Sequence, residues 1–201
     1  REHMFLSRDD RKALWSRWAL VTEAEKFRGV LNFDTGRAGP HLCITGSIHG
    51  NEAVGAVVIE RLYERLQQGQ LITHGRLSLI LGNPEAFLDD VRYLDQDLNR
   101  AFADEFTSEQ REGEIGREGL RQLELKAFLD MYPVDMLLDL HSVSRGEVCL
   151  AVYSAQRATE GVWHSPLPLH FCYNEDHLFG RTLIDEVYLR GGDAMVVECG
   201  Q

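Results

Sequence analysis

Three residues in this sequence have the types and neighbours that a catalytic metal site needs. His49 and Glu52 lie in Gly46-Ser47-Ile48-His49-Gly50-Asn51-Glu52, and His141 lies in Asp139-Leu140-His141-Ser142. A catalytic zinc takes three ligands of the His, Asp or Glu type and leaves a position open for water. A His-x-x-Glu pair alone is a loose pattern, and a loop that merely holds two polar residues fits it equally well. His141 is the natural third ligand because a strand end would hold it rigidly. A lone histidine is more often a core or capping residue, but Asp139 offers a carboxylate that could orient a ligand imidazole. The other six histidines (His3, His41, His74, His164, His170 and His177) have no such setting. They read as surface or loop residues, with His170 and His177 the two that could still reach a pocket.

A second group of polar residues lies in Arg92-Tyr93-Leu94-Asp95-Gln96-Asp97-Leu98-Asn99-Arg100. A solvated charged loop would look similar, yet the order Arg-Tyr followed by Asp-Leu-Asn-Arg is far more specific than His-x-x-Glu. Glu198 closes a final apolar run, Met195-Val196-Val197.

These residues need elements to position them. Residues 8–28 are charged and helix-compatible, with Leu14, Trp15 and Trp18 on one side. Strands are expected at 41–45, 76–81, 134–140, 147–153, 167–172 and 194–198. Val54, Val57, Val58, Leu62 and Leu66 recur at three and four, so 52–68 is expected as an amphipathic helix. Leu120, Leu123, Ala127, Phe128 and Met131 mark another helix, and 178–189 a shorter one. Gly82-Asn83-Pro84 is a turn signal, followed by a loop without clear period to about residue 116. Strands alternating with helices predict a three-layer α/β/α fold on a mainly parallel, mixed sheet. His49, Glu52, Arg92, Asn99, Arg100, His141 and Glu198 then all fall beyond the carboxyl ends of strands, the edge where open α/β sheets bind ligands.

The 201 residues carry a formal net charge of −11, with 44% hydrophobic and 26% charged side chains. That is a globular composition. The charge argues against nucleic acid or an anionic membrane as partner, and no apolar stretch approaches the ~20 residues of a membrane span. Four scattered cysteines without a C-x-x-C pair argue against a disulfide framework and for a cytoplasmic location.

The segments His49-Gly50-Asn51-Glu52, Gly82-Asn83-Pro84, Arg92–Arg100, Asp139-Leu140-His141 and Glu198-Cys199-Gly200-Gln201 occur in the order seen in the succinylglutamate desuccinylase/aspartoacylase family. The resemblance covers residues ~40–201, and that family is similar in fold to the zinc carboxypeptidases. It implies a zinc-dependent hydrolase that cleaves the amide bond of a small anionic N-acyl amino acid. It further implies one Zn(2+) per chain on His49, Glu52 and His141, Glu198 as general base and then acid, and Arg92 polarising the scissile carbonyl. Asn99 and Arg100 would grip a substrate carboxylate, with Asp97 orienting neighbouring Arg or His side chains. Ser142-Val143-Ser144-Arg145-Gly146 departs from the family pattern. Family members continue into a smaller β-rich C-terminal domain, whereas this sequence stops three residues after Glu198. The expected organisation is therefore an N-terminal helical extension, 1–35, and a catalytic domain, 36–201. A peptide-trimming zinc carboxypeptidase and a non-catalytic domain of the same fold are the competing readings.

Overall fold

The computed structural model describes residues 6–102, 115–142, 149–154, 170–174 and 181–199. Helix α1, Arg8–Val21, starts at a capping box in which Ser7 and Asp10 satisfy each other's backbone amides. Strand β1 is Val30–Asp34 and β2 is His41–Gly46; helix α2 is Val54–Gln67 and strand β3 is Arg76–Leu81. Helix α3, Pro84–Asp89, precedes a 3-10 turn at Leu98–Arg100, and helix α4 is Arg117–Met131. Strands β4 (Met136–His141), β5 (Leu150–Ser154) and β6 (His170–Asn174) follow, then helix α5 (Leu183–Leu189) and strand β7 (Asp193–Glu198).

Among the described residues the strands form one sheet in the order β1-β3-β2-β4-β7-β5-β6. Its centre, β3-β2-β4-β7, is parallel; β1 joins β3 and β5 joins β7 antiparallel, and β6 runs parallel to β5. Parallel strands buried on both faces need helices on both sides. On one face Leu14 and Trp18 of α1 and Ala56 and Ile59 of α2 meet Leu77 and Leu79 of β3. On the other, Leu125, Phe128 and Leu129 of α4 and Leu183 and Val187 of α5 meet Cys43, Ile80 and Leu137. The expected three-layer α/β/α architecture on a mixed, mainly parallel sheet is what the chain adopts.

Two elements differ from the sequence expectation. β1 was not expected: it is a short edge strand with only Val30 fully buried, so it carries no readable alternation. The Gly82-Asn83-Pro84 turn also opens a helix, because Asn83 Oδ1 accepts from the Ala86 amide and Pro84 occupies the first turn. The expected helix at 178–189 is described from Leu183, and the strands expected at 147–153 and 167–172 are described from Leu150 and His170.

A candidate metal and hydrolytic site

The chain leaves β2 to one neighbour, β3, and later returns on the other side as β4. The carboxyl ends of β2 and β4 therefore bound a topological switch point, where α/β sheets form a ligand crevice. His49 and Glu52 lie in the turn after β2, and His141 is the last residue of β4. The turn is tightly built. Ser47, fully buried, takes a left-handed φ of 55° and its hydroxyl donates to the Glu52 carbonyl at 2.9 Å. Gly50 has no room for a side chain, since an added Cβ would lie 2.1 Å from the Ala86 carbonyl carbon of α3.

The three residues converge: one ligand atom from each of His49, Glu52 and His141 lies within 4.8 Å of the others, and all three are buried. His49 Nδ1 donates to Glu52 Oε1 and His141 Nδ1 to Glu52 Oε2, both at 2.9 Å. The far nitrogens are held too, His49 Nε2 by Asp97 Oδ1 at 3.1 Å and His141 Nε2 by Asp139 Oδ2 at 2.9 Å. Asp139 is fully buried and is itself fixed by the Thr45 hydroxyl at 2.5 Å. Each ligand imidazole thus has a carboxylate behind it, the arrangement that sets ring orientation and raises basicity at metal sites. Two imidazoles and one carboxylate in a buried cluster, each backed in this way, form a donor set that fits zinc.

The electrostatics follow from this packing. Burial alone would push the His141 imidazole down. Asp139, by charge and hydrogen bond, and then Glu52 outweigh it and hold His141 at about 10. His49 is likewise raised, with Asp97 and Glu52 overcoming burial. Burial would raise Glu52, but the two histidines hold it well below the usual carboxylate range. Asp97 is held down at about 2, against burial, by His49 and then Arg92.

Glu198, the last residue of β7, stands beside His141 in the parallel register. Its Oε2 is buried and has no hydrogen-bond partner among the described residues. Burial, then the carboxylates of Glu52 and Asp139, push its pKa up, against the lowering charges of His141 and His49.

Arg92 is half exposed, with long contacts from Nη1 to Glu52 at 3.3 Å and from Nη2 to Asp97 at 3.4 Å. Arg100 donates to the Asn99 carbonyl at 2.7 Å and has no carboxylate partner among the described residues. Asn99 is buried, and its Oδ1 accepts from the Leu183 amide at 3.2 Å, so it caps α5; a substrate contact from Asn99 would use Nδ2. Asp97 Oδ1 also caps the 3-10 turn by accepting from the Asn99 amide at 2.9 Å. The His177 region and the side chain of His170, the two other histidines that could reach a pocket, lie outside the described residues, as do Gly200 and Gln201.

Two contributors carried no signal in the sequence. Glu118, fully buried in the first turn of α4, accepts from the Leu94, Asp95 and Gln96 amides at 2.7, 2.9 and 3.4 Å and from Asn83 Nδ2 at 3.0 Å. It anchors the loop that carries Arg92 and Asp97. Arg11 of α1 reaches the His49–Glu52 turn itself, donating to the Gly50 carbonyl at 2.8 Å.

The family profile described as Succinylglutamate desuccinylase/Aspartoacylase catalytic domain matches residues 38–172. A succinylglutamate desuccinylase of Pseudomonas paraeruginosa is 35% identical over 113 residues, which cover 54% of this chain and 32% of that protein. The chain therefore matches about a third of that relative's length. The crystal structure of a succinylglutamate desuccinylase from Chromobacterium violaceum superposes with a TM-score of 0.73 at 21% identity, covering 87% of this chain and 60% of that one. An aspartoacylase family protein from Mesorhizobium loti superposes with a TM-score of 0.61 at 26% identity, covering 85% and 55%.

Proposed function

The chain belongs to the succinylglutamate desuccinylase/aspartoacylase catalytic-domain family, and from that footing we propose that it is a zinc-dependent hydrolase of a small anionic N-acyl amino acid. Cleavage of the linear amide bond would release an amino acid and a carboxylic acid. The reading rests chiefly on the convergence of His49, Glu52 and His141 beside Glu198, whose buried Oε2 has no hydrogen-bond partner among the described residues. His49, Glu52 and His141 would hold one zinc per chain, which when bound acidifies a water and polarises the scissile carbonyl.

Each remaining role belongs to a side chain. Glu198 takes a proton from the attacking water and passes it to the departing amine. Its raised pKa suits both directions of transfer, since a base works best near the operating pH. Arg92 is only loosely held, so its guanidinium can turn toward the oxyanion that develops on the carbonyl. Arg100, without a carboxylate of its own among the described residues, receives the substrate carboxylate as a two-pronged pair, aided by Asn99. In this reading residues 36–201 form the body of the catalytic domain, while 1–35, expected as a helical extension, contribute α1 packed on it and β1 as an edge strand of its sheet. No helix among the described residues is long and apolar enough to cross a membrane. The scattered cysteines support a cytoplasmic site of action.

The test is a panel of N-acetyl and N-succinyl amino acids beside blocked dipeptides, run on the zinc-loaded protein and on Glu198→Gln. Turnover of N-acyl amino acids is expected, with kcat lowered ~10²–10⁴-fold in the variant and zinc content retained. Turnover of dipeptides alone would identify a carboxypeptidase, and no turnover at all a binding domain.

A further inference from the structure

Arg11 lies in the first turn of α1, outside residues 38–172, yet it is only 3% exposed and its guanidinium faces the His49–Glu52 turn. Nη1 donates to the carbonyls of Gly50 at 2.8 Å and Phe87 at 3.0 Å. Nη2 donates to the Asn51 carbonyl at 3.4 Å and pairs with Asp90 at 2.6 Å, while Nε donates to the Leu6 carbonyl at 3.4 Å. The guanidinium also lies over the Phe87 ring, 4.9 Å from its centroid. Gly50 and Asn51 are the two residues between the proposed ligands His49 and Glu52.

The turn is therefore gripped from two sides. The Gly50 amide donates to the Arg92 carbonyl at 3.0 Å, and the Gly50 and Asn51 carbonyls are taken by Arg11. Gly50 itself is pressed against α3, too close for any side chain. Rotation of either peptide plane would swing the His49 or Glu52 side chain out of the cluster and strip a buried carbonyl of its donor. Serving four main-chain carbonyls and a carboxylate at once takes a rigid fork of five donors; a lysine has three donors on a point charge.

We propose that Arg11 is a positioning residue for the metal: by holding the Gly50 and Asn51 carbonyls it fixes His49 and Glu52 relative to one another, so α1 is part of the metal-binding apparatus. This rests on the zinc reading above. A merely structural Arg11 would pin α1 to α3 and leave metal affinity untouched.

The experiment measures zinc affinity by competition with a chromophoric chelator, and the visible spectrum of the Co(2+)-substituted protein, for the parent, Arg11→Met, Arg11→Lys and Arg17→Met. Arg17 ties α1 to α2 through Glu60 at 2.6 Å and touches nothing in the ligand turn. Arg11→Met is expected to weaken zinc about 10–100-fold, as loss of partners behind metal ligands does, and to alter the cobalt spectrum. Arg11→Lys should fall between it and the parent, and Arg17→Met should match the parent. Parent-like zinc affinity in a folded Arg11→Met overturns the proposal. If that variant does not fold, Arg11→Lys decides, and parent-like affinity there overturns it equally. Equal weakening in Arg17→Met would show that loosening α1 in any way suffices, and would also overturn it. A parent that binds no zinc overturns the metal reading, and this proposal with it, a result distinct from tight zinc in every variant.

Discussion

Glu52 is shared by two imidazoles, one on each oxygen, and each imidazole has a second carboxylate behind it. With acceptors facing both ring nitrogens, the geometry favours the doubly protonated form of His49 and His141 in the metal-free chain. That agrees with the raised pKa of His49 and the value of about 10 for His141. A histidine ligand must be neutral, so in the proposed zinc site the metal would have to displace protons from both rings. Zinc uptake near pH 7 should therefore release about one to two protons per chain, and apparent affinity should fall as pH falls. A pH-indicator dye in weak buffer counts them. Release of none would mean that the imidazoles are already neutral, against the carboxylate-backed geometry.

The loop that carries Arg92 and Asp97 depends on two reciprocal caps. Glu118 of α4 gathers the Leu94, Asp95 and Gln96 amides, while Asp95 returns a carboxylate to the Arg117 amide at 2.7 Å, at the start of α4. Replacing Glu118 by Gln keeps its shape but removes the charge and turns one acceptor into a donor facing amide N–H groups. A buried donor left unpaired costs about 1–3 kcal/mol, so the unfolding free energy in urea should fall by that amount. The Leu94 and Asp95 amides should also exchange hydrogen faster than those of β2. Unchanged stability and exchange would remove Glu118 as the anchor. The helix that carries it also shows how far periodicity reaches. Of the five residues that mark the helix, Leu120, Leu123 and Met131 are 58%, 42% and 44% exposed and Ala127 is exposed too; Phe128 alone is buried, and Leu125 and Leu129 complete the core contact. The stripe located the helix but not its buried face, because Phe128 packs against Phe27, Tyr132 and His41, residues that no local pattern could pair with it.

Across the whole molecule, the site lies at one end of the parallel strands and His41 at the other. His41 Nδ1 donates to the Pro133 carbonyl at 2.9 Å and Nε2 meets the Ser78 hydroxyl at 2.8 Å. Burial pushes its pKa below the ordinary value. Above about pH 6.5 folded and unfolded imidazoles are both neutral and His41 contributes nothing to pH dependence. As pH falls below about 6.5 toward the folded value, the unfolded chain binds a proton that the native one refuses, and stability declines. The raised His49 and His141 act in the opposite sense, at higher pH, where their stabilisation is lost as pH rises. The urea midpoint of the metal-free protein should thus drop between about pH 7 and 5, and less steeply in His41→Asn. An identical slope in the variant would place the effect elsewhere. Strand and helix order, the α/β class and the family were legible in the sequence because hydrophobic period, Gly-Asn-Pro and the five short segments are local in the chain. Local order also put His49 and Glu52 just beyond a strand end and His141 and Glu198 at the ends of theirs. Tertiary structure alone decided that β2 and β4 are neighbours, so that His141 meets the carboxylate of Glu52, 89 residues away in the chain. It alone brought Arg11 to the His49–Glu52 turn and Glu118 to the loop that carries Arg92 and Asp97. Those contacts depend on how the layers pack across the sheet, and a buried charge leaves no trace in sequence until the partner that satisfies it is in place.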